Sequence, residues 1–118
     1  MAGIQQSAAN SILDTLLAAG YTMRLYTVAP TVTTNGTEVS GSSYVPTAIS
    51  FSAASAGSKT QNADCVFAAC TAAPYTINGW AITDLSNVIK VFRAFTALTV
   101  NIGDTVRFAS GTVVVSLA

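Results

Sequence analysis

The 118-residue sequence contains no histidine and only two cysteines, Cys65 and Cys70. Histidine is the commonest general base and metal ligand at neutral pH, so its absence removes most catalytic and zinc-binding arrangements. The odd separation of the two cysteines would place them on opposite faces of one continuous strand, which argues against a local disulfide. We therefore expect two buried free thiols, no metal site and no cofactor.

Charged side chains are also scarce. Asp, Glu, Lys and Arg make up 8% of the residues, and five of each sign cancel to a net charge of zero, whereas an ordinary soluble domain is about 25% charged. A neutral surface of Ser, Thr, Ala and Asn lacks the repulsion that keeps protein molecules apart. We expect this surface to be covered by specific partners, with a solitary Ser/Thr-rich β-domain as the alternative interpretation.

No feature of the sequence predicts nucleic-acid or membrane binding. No run of residues approaches the roughly 20 apolar residues that a membrane-spanning helix needs, and residues 1–7 lack the basic start of a secretory signal. We therefore expect a soluble protein made in the cytosol. A basic surface for nucleic acid is not expected either, because the cations are dispersed at Arg24, Lys59, Lys90, Arg93 and Arg107.

The sequence contains few signs of a catalytic site. A serine nucleophile without histidine would need a lysine base, and no serine lies in a G-x-S-x-G turn. Lys59, in a Ser/Gly-rich stretch, and Lys90, in a predicted strand, are interpreted as solvated or snorkelling side chains. We predict that the protein is not an enzyme. The remaining catalytic alternative is a glycosidase-like pair drawn from five carboxylates that lie far apart in sequence: Asp14, Glu38, Asp64, Asp84 and Asp104.

An amphipathic segment opens the chain. Between residues 4 and 19 the apolar residues Ile12, Leu13, Leu16 and Leu17 recur at helical spacing, and Gly20 follows where a left-handed C-cap is expected. This pattern predicts an N-terminal helix within residues 1–20. The helix either caps an open end of the following domain or packs on another subunit through its alanines.

The rest of the chain reads as strands and turns. β-Branched and aromatic residues predict strands at residues 21–28, 44–51, 63–69, 75–83, 88–97, 105–108 and 112–117. Asn78-Gly79, Gly103-Asp104 and Ser110-Gly111 are predicted turns, the last one joining a hairpin, and residues 52–62 are predicted to form a surface loop or edge segment. The predicted fold class is mainly β: a single domain over residues 1–118, with an antiparallel β-sandwich, Ig-like or jelly-roll-like, over residues 21–118.

Aromatic residues offer two interpretations, a sugar-binding site or a packed core, of which we favour the core. Phe92 and Phe95 would face opposite sides of a regular strand, so one of them is expected at an interface. The aromatic set is Tyr44, Phe51, Phe67, Tyr75, Trp80, Phe92, Phe95 and Phe108.

Residues 31–43 form the predicted contact loop, because this segment is long, turn-rich and carries Glu38 as its only charge. An ordinary exposed connection between strands is the alternative. The candidate interface residues are Thr33, Thr34, Asn35, Gly36, Glu38, Val39, Tyr44 and Trp80.

Five stretches of the chain can be compared with known families: ANSILD at residues 9–14, LYTVAPT at 25–31, GTEVSGSSY at 36–44, and ALTV followed by GDTVRF within 97–108. In these stretches the sequence resembles a family of small tailed-phage virion proteins known as head decoration or tail fibre proteins. It departs from that pattern after Tyr44, where relatives continue with small and basic residues. Here Pro46, which donates no hydrogen bond to a sheet, is expected to alter an edge strand.

The resemblance implies a virion component assembled in the host cytoplasm, without cofactor or catalytic residues. Our first hypothesis is a capsid decoration (cement) protein that stabilises the head by packing against the major capsid protein, other virion proteins and copies of itself. The second is a tail fibre or receptor-attachment module, in which Trp80 or Tyr75 contacts host glycan. The third is a non-viral soluble binding domain.

Overall fold

The computed structural model describes residues 3–41 and 43–117. Over these residues the chain forms one N-terminal helix followed by strands, which confirms the predicted mainly-β class with its opening helix. The elements are α1 (Gln6–Leu16), β1 (Thr22–Val28), β2 (Thr37–Glu38), β3 (Thr47–Ala48), β4 (Ser58–Thr60), β5 (Cys65–Val66), β6 (Tyr75–Thr83), β7 (Ile89–Val100), β8 (Arg107–Phe108) and β9 (Val114–Ser116).

The larger sheet is antiparallel and has the order β2-β1-β6-β7, with β3 paired to the same edge of β1 as β2. β1 pairs with β6 from Thr22 opposite Thr83 to Tyr26 opposite Gly79. β6 pairs in turn with β7, whose other side has no strand partner in the described part of the chain. β7 is therefore the edge of this sheet.

The second layer consists of two short antiparallel pairs, β4 with β9 and β5 with β8. The buried side chain of Gln61 connects them. Its Nε2 donates to the carbonyl oxygens of Ala63 (2.9 Å) and Phe108 (2.7 Å), and its Oε1 accepts from the backbone N–H of Val113 (3.2 Å). The Gln61 amide thus links two strand pairs that are not joined to each other by strand pairing.

The core lies between the two layers, as expected of a β-sandwich-like domain. Both cysteines belong to it as buried free thiols, as predicted. Burial raises the pKa of the Cys65 thiol to about 11. The other buried apolar side chains of this core are Leu17, Met23, Leu25, Val39, Ile49, Phe67, Ile77, Ile82, Val100 and Val113.

Helix α1 packs on β4 and covers one end of the second layer. Leu13 is buried, but Ile12, predicted to share its apolar face, is 48% exposed. The reason is that the helix touches the domain along one narrow stripe, and Ile12 lies outside it. The helix also ends earlier than predicted, with Leu17 as its C-cap, so Gly20 has a left-handed φ of 86° but lies beyond the cap.

An ion pair between a buried lysine and a half-exposed aspartate fixes the helix to β4. Lys59 is only 6% exposed, and its Nζ donates to Asp14 Oδ1 at 2.6 Å. The same oxygen accepts from the backbone N–H of Ala54 at 2.9 Å. The prediction of a solvated or snorkelling Lys59 is therefore wrong, because the central side chain of β4 is buried and points at a carboxylate. Residues 52–62 contain this short edge strand, which is one of the two alternatives predicted for the segment.

One predicted turn and one predicted hairpin are also wrong. Asn78-Gly79 lies inside β6, where the register with β7 shifts, and Asn78 Nδ2 donates to the Thr27 carbonyl at 2.7 Å. Glycine is needed at position 79 for close approach rather than for a turn, since a Cβ there would lie 2.7 Å from the Arg93 carbonyl oxygen. Ser110-Gly111 does form a turn, but β8 and β9 pair with β5 and β4 instead of with each other.

Strand predictions hold best for the long strands. β6 coincides with the predicted residues 75–83, and β1 and β7 fall within a few residues of their predictions. Of residues 44–51 only β3 forms, directly after Pro46, and of residues 63–69 only β5. The remaining residues of both segments keep core contacts without regular pairing.

Candidate interaction surface

The connection between β1 and β2 is the exposed part of the predicted contact loop. Thr33, Thr34 and Asn35 are all exposed. The loop is held by its own bonds: the backbone N–H of Thr31 donates to the Thr34 carbonyl (2.9 Å), and the backbone N–H of Thr34 donates to Thr31 Oγ1 (3.0 Å). At its base Gly36 has a φ of 65° and packs directly against the backbone of β1. The loop is therefore ordered and accessible.

Val39 and Glu38, predicted as interface residues, contribute to the fold instead. Val39 is 4% exposed, so its side chain presents almost no surface to a partner. Its side chain belongs to the core while its N–H donates to the Leu25 carbonyl at 2.9 Å. Glu38 accepts from both Arg24 Nη1 (3.1 Å to Oε2) and the Tyr44 hydroxyl (2.6 Å).

Tyr44 fills a gap along the edge of β1 between β3 and β2. Its hydroxyl accepts from the backbone N–H of Leu25 at 3.0 Å while it donates to Glu38. Its ring lies 6.2 Å from that of Phe67 and 6.4 Å from that of Tyr75. Burial, and then the hydrogen bond to Glu38, raise the pKa of Tyr44 above its ordinary value. No local pattern of residues predicts this arrangement, because the partners come from three separate segments.

Trp80 lies apart from the loop, on the inner face of β6, where it lines an open groove between β7 and the second layer. The groove has a volume of about 960 Å³. Phe92 and Phe95 both line it, but Phe95 packs on the core whereas Phe92 is exposed. The apolar lining comprises Ile77, Trp80, Val91, Phe92, Phe95, Leu98, Val100, Val106, Phe108, Val113, Val114 and Val115.

Eight of the ten charged side chains are neutralised within the chain. The four ion pairs of the described residues are Arg24 with Glu38, Lys59 with Asp14, Lys90 with Asp84, and Arg107 with Asp64.

These pairs leave Arg93 and Asp104 without an ion-pair partner in the described part of the chain. Asp104 accepts only a backbone hydrogen bond, from the N–H of Asn101 at 3.0 Å. Both residues line the groove that contains Trp80. The two remaining charges, one of each sign, thus line the same groove.

Three of the paired carboxylates have lowered pKa values. The hydrogen bond from Lys59 lowers the pKa of Asp14, and the hydrogen bond from Arg107 lowers that of Asp64. The pKa of Asp84 is lowered chiefly by the backbone N–H of Val88, with Lys90 contributing less. These carboxylates are held ionised by fixed donors.

Neither a metal centre nor a membrane span is seen in residues 3–41 and 43–117. No group of three or more cysteine and carboxylate side chains there is arranged to hold a metal ion. The helix described in this range is too short and too polar to cross a bilayer. What the surface offers is an ordered polar loop and an apolar groove with one unpaired cation and one unpaired anion.

The chain matches a known protein family over nearly its whole length. The family model described as podophage GP4 fiber I protein gp80 matches residues 3–116, from the start of the helix through β9. No curated protein and no solved structure matches the chain. The match confirms the resemblance to phage virion proteins carried by residues 9–14, 25–31 and 36–44. The chain therefore belongs to the podophage GP4 fiber I family and is a structural protein of the phage virion.

Proposed function

We propose that the chain is a subunit of the phage tail fibre, and that it works by packing against copies of itself and other virion proteins. The observation that carries this proposal is the family match over residues 3–116, because the family is described as a fibre protein. The match spans both the ordered loop and the groove, so the surfaces available for packing belong to the shared part of the chain.

The distribution of charge supports a packing role. Burying a charged side chain against a neighbour costs more than burying hydroxyl and methyl groups. Here most charges are already paired within the chain, and large apolar side chains such as Val32 and Leu85 are exposed, at 90% and 83%. Such a surface can be covered by another subunit at a small desolvation cost.

A head decoration protein would use the same neutral surface, and this was our first hypothesis from the sequence. The family description favours the tail fibre over the head. The head location therefore becomes the competing outcome of the experiment below, and the third hypothesis, a non-viral binding domain, has no support from the match.

The proposal includes the absence of catalysis. Four of the five carboxylates each bind a cation of their own, and the fifth binds a backbone N–H. A glycosidase pair needs two carboxyl groups facing one substrate, whereas these are committed to separate ion pairs on different elements. This pattern supports a structural role.

Antibody labelling of virions tests the proposal. Gold-labelled antibody raised against the isolated chain should decorate the fibres at the tail in electron micrographs, and protein quantification should give far fewer copies than the major capsid protein. Label spread over the head, with copies on the order of hundreds per particle, would overturn the fibre assignment in favour of decoration. Unlabelled particles would overturn both.

A further inference from the structure

Strand β7 is an unusually long free edge. It has 12 residues, where strands average about 5 to 6, and it pairs only with β6 among the described strands. An open edge presents unpaired N–H and C=O groups that bind another strand, and proteins normally shorten or cover such edges. Here the groove beside the edge also exposes Leu98 and Val114, at 54% and 50%. The edge and the groove together form one surface suited to being covered.

The charges of this surface indicate what covers it. Arg93 and Asp104, the two side chains without an ion-pair partner, both line the groove. A surface that meets a copy of itself must carry both signs in balance, since an excess of either sign would repel the copy. A nucleic acid would instead require an excess of cations. Arg107 also lines the groove, but it is already paired with Asp64. One unpaired Arg and one unpaired Asp in the same groove fit a second copy of the chain.

We propose that the β7 groove is the contact between copies of this chain, with Arg93 of one copy paired to Asp104 of the next. This inference rests on the self-association contained in the proposed function and assigns it to named residues.

The available surface is large enough for such a contact. A stable interface buries about 800 Å² on each partner, and the chain exposes 6459 Å² in total. Twelve extended residues span about 40 Å at roughly 3.3 Å per residue, so a strip about 20 Å wide along β7 supplies that area.

Charge reversal in separate chains tests the contact by sedimentation of the full-length protein. The variants R93D and D104R alone should each associate at least about tenfold more weakly than the wild type, because each brings like charges together at the contact. An equimolar mixture of the two variants should recover association, because each reversed side chain then faces an opposite charge on the other chain. Recovery in a mixture cannot arise from an ion pair within one chain.

A matched pair of neutral variants provides the control. R93Q should weaken association, whereas K90Q, which removes the same charge from the same strand, should not, because Lys90 already binds Asp84. Circular dichroism should show all variants folded, since Arg93 and Asp104 are exposed.

Three outcomes would overturn the inference: a wild-type chain that stays monomeric at high concentration, R93D that associates like the wild type, or a mixture without recovery. Binding of a host glycan in the groove in place of a second copy would appear as the first of these. Labelled virions decide the fibre assignment separately, so a fibre protein with unaffected R93D association would retain the proposed function and lose only this contact.

Discussion

Gln61 is a buried polar side chain that links the two strand pairs of the second layer. Its amide satisfies three backbone groups, on Ala63, Phe108 and Val113, in a buried position. Gln61→Leu keeps the volume but leaves these groups without their partner, so the free energy of unfolding should fall by about 2–4 kcal/mol. Urea unfolding followed by tryptophan fluorescence measures this change.

The neighbouring Asn62 provides the control for that substitution. Asn62 is exposed, and its side chain accepts one hydrogen bond from Ser50, so Asn62→Ala should change the free energy of unfolding by about 0.5 kcal/mol or less. If Gln61→Leu were as mild as Asn62→Ala, the amide would not join the two strand pairs.

Gly36 illustrates a glycine required for two reasons at once. Its φ of 65° disfavours a side chain, and a Cβ would overlap the Val28 carbonyl oxygen. Gly41, with a φ of 73°, has no atom near its Cβ position. Gly36→Ala should therefore cost at least about 3 kcal/mol of unfolding free energy, against about 1 kcal/mol for Gly41→Ala. Equal losses in denaturant unfolding would show that the close approach at Gly36 is absent.

At the scale of elements, the attachment of α1 depends on the buried Lys59. Asp14→Asn leaves the Lys59 ammonium buried without a charged partner, so the thermal midpoint should fall. Lys59→Met removes the buried charge and leaves Asp14 half-exposed to water, so its midpoint should stay above that of Asp14→Asn. The reverse order of midpoints in scanning calorimetry would contradict this account of the helix.

The long elements could be predicted from the sequence because their signal is local. β6 combines an alternating pattern with β-prone residues and was placed at its observed bounds. The short strands β2 and β4 were missed, because their pairing depends on partners distant in sequence: Glu38 meets Tyr26, and Lys59 meets Val115. Local composition carries no information about such partners.

The candidate surface was predictable only in part for the same reason. The exposure of Thr33, Thr34 and Asn35 follows from turn chemistry. The groove requires knowing that Trp80 faces inward beneath an edge strand, and the distinct status of Arg93 emerges only when every other cation has been matched to its carboxylate. Which cation pairs with which carboxylate depends on the folded structure.

At the scale of the whole molecule, the absence of histidine shapes the dependence of stability on pH. The pKa values of Asp14, Asp64 and Asp84 are lowered from 3.8 in the folded state. Their stabilisation is therefore complete above that value and is lost as the pH falls below it towards the folded pKa values. The pKa of the Cys65 thiol is raised from 9.0 to about 11, so this group affects the stability of the fold at alkaline pH. Its stabilisation is complete below pH 9.0 and is lost as the pH rises towards 11.

The free energy of unfolding should thus be flat between about pH 5 and pH 8, where histidine would otherwise titrate. It should decline below 3.8 and above 9.0. Denaturant unfolding across this range measures the profile. A step between about pH 5 and pH 8 would contradict the assignment of stability to these carboxylates and the thiol.

The central claim is that this charge-poor domain is completed by a neighbouring subunit along β7. Hydrogen exchange of the backbone amides of Ile89–Val100, compared between the dilute isolated chain and the same chain in purified virions, tests it most directly. The account predicts that amides on the free edge exchange rapidly in the isolated chain and become protected in the particle, while β6 is protected in both. Equally rapid exchange of the β7 edge in the assembled particle would contradict it.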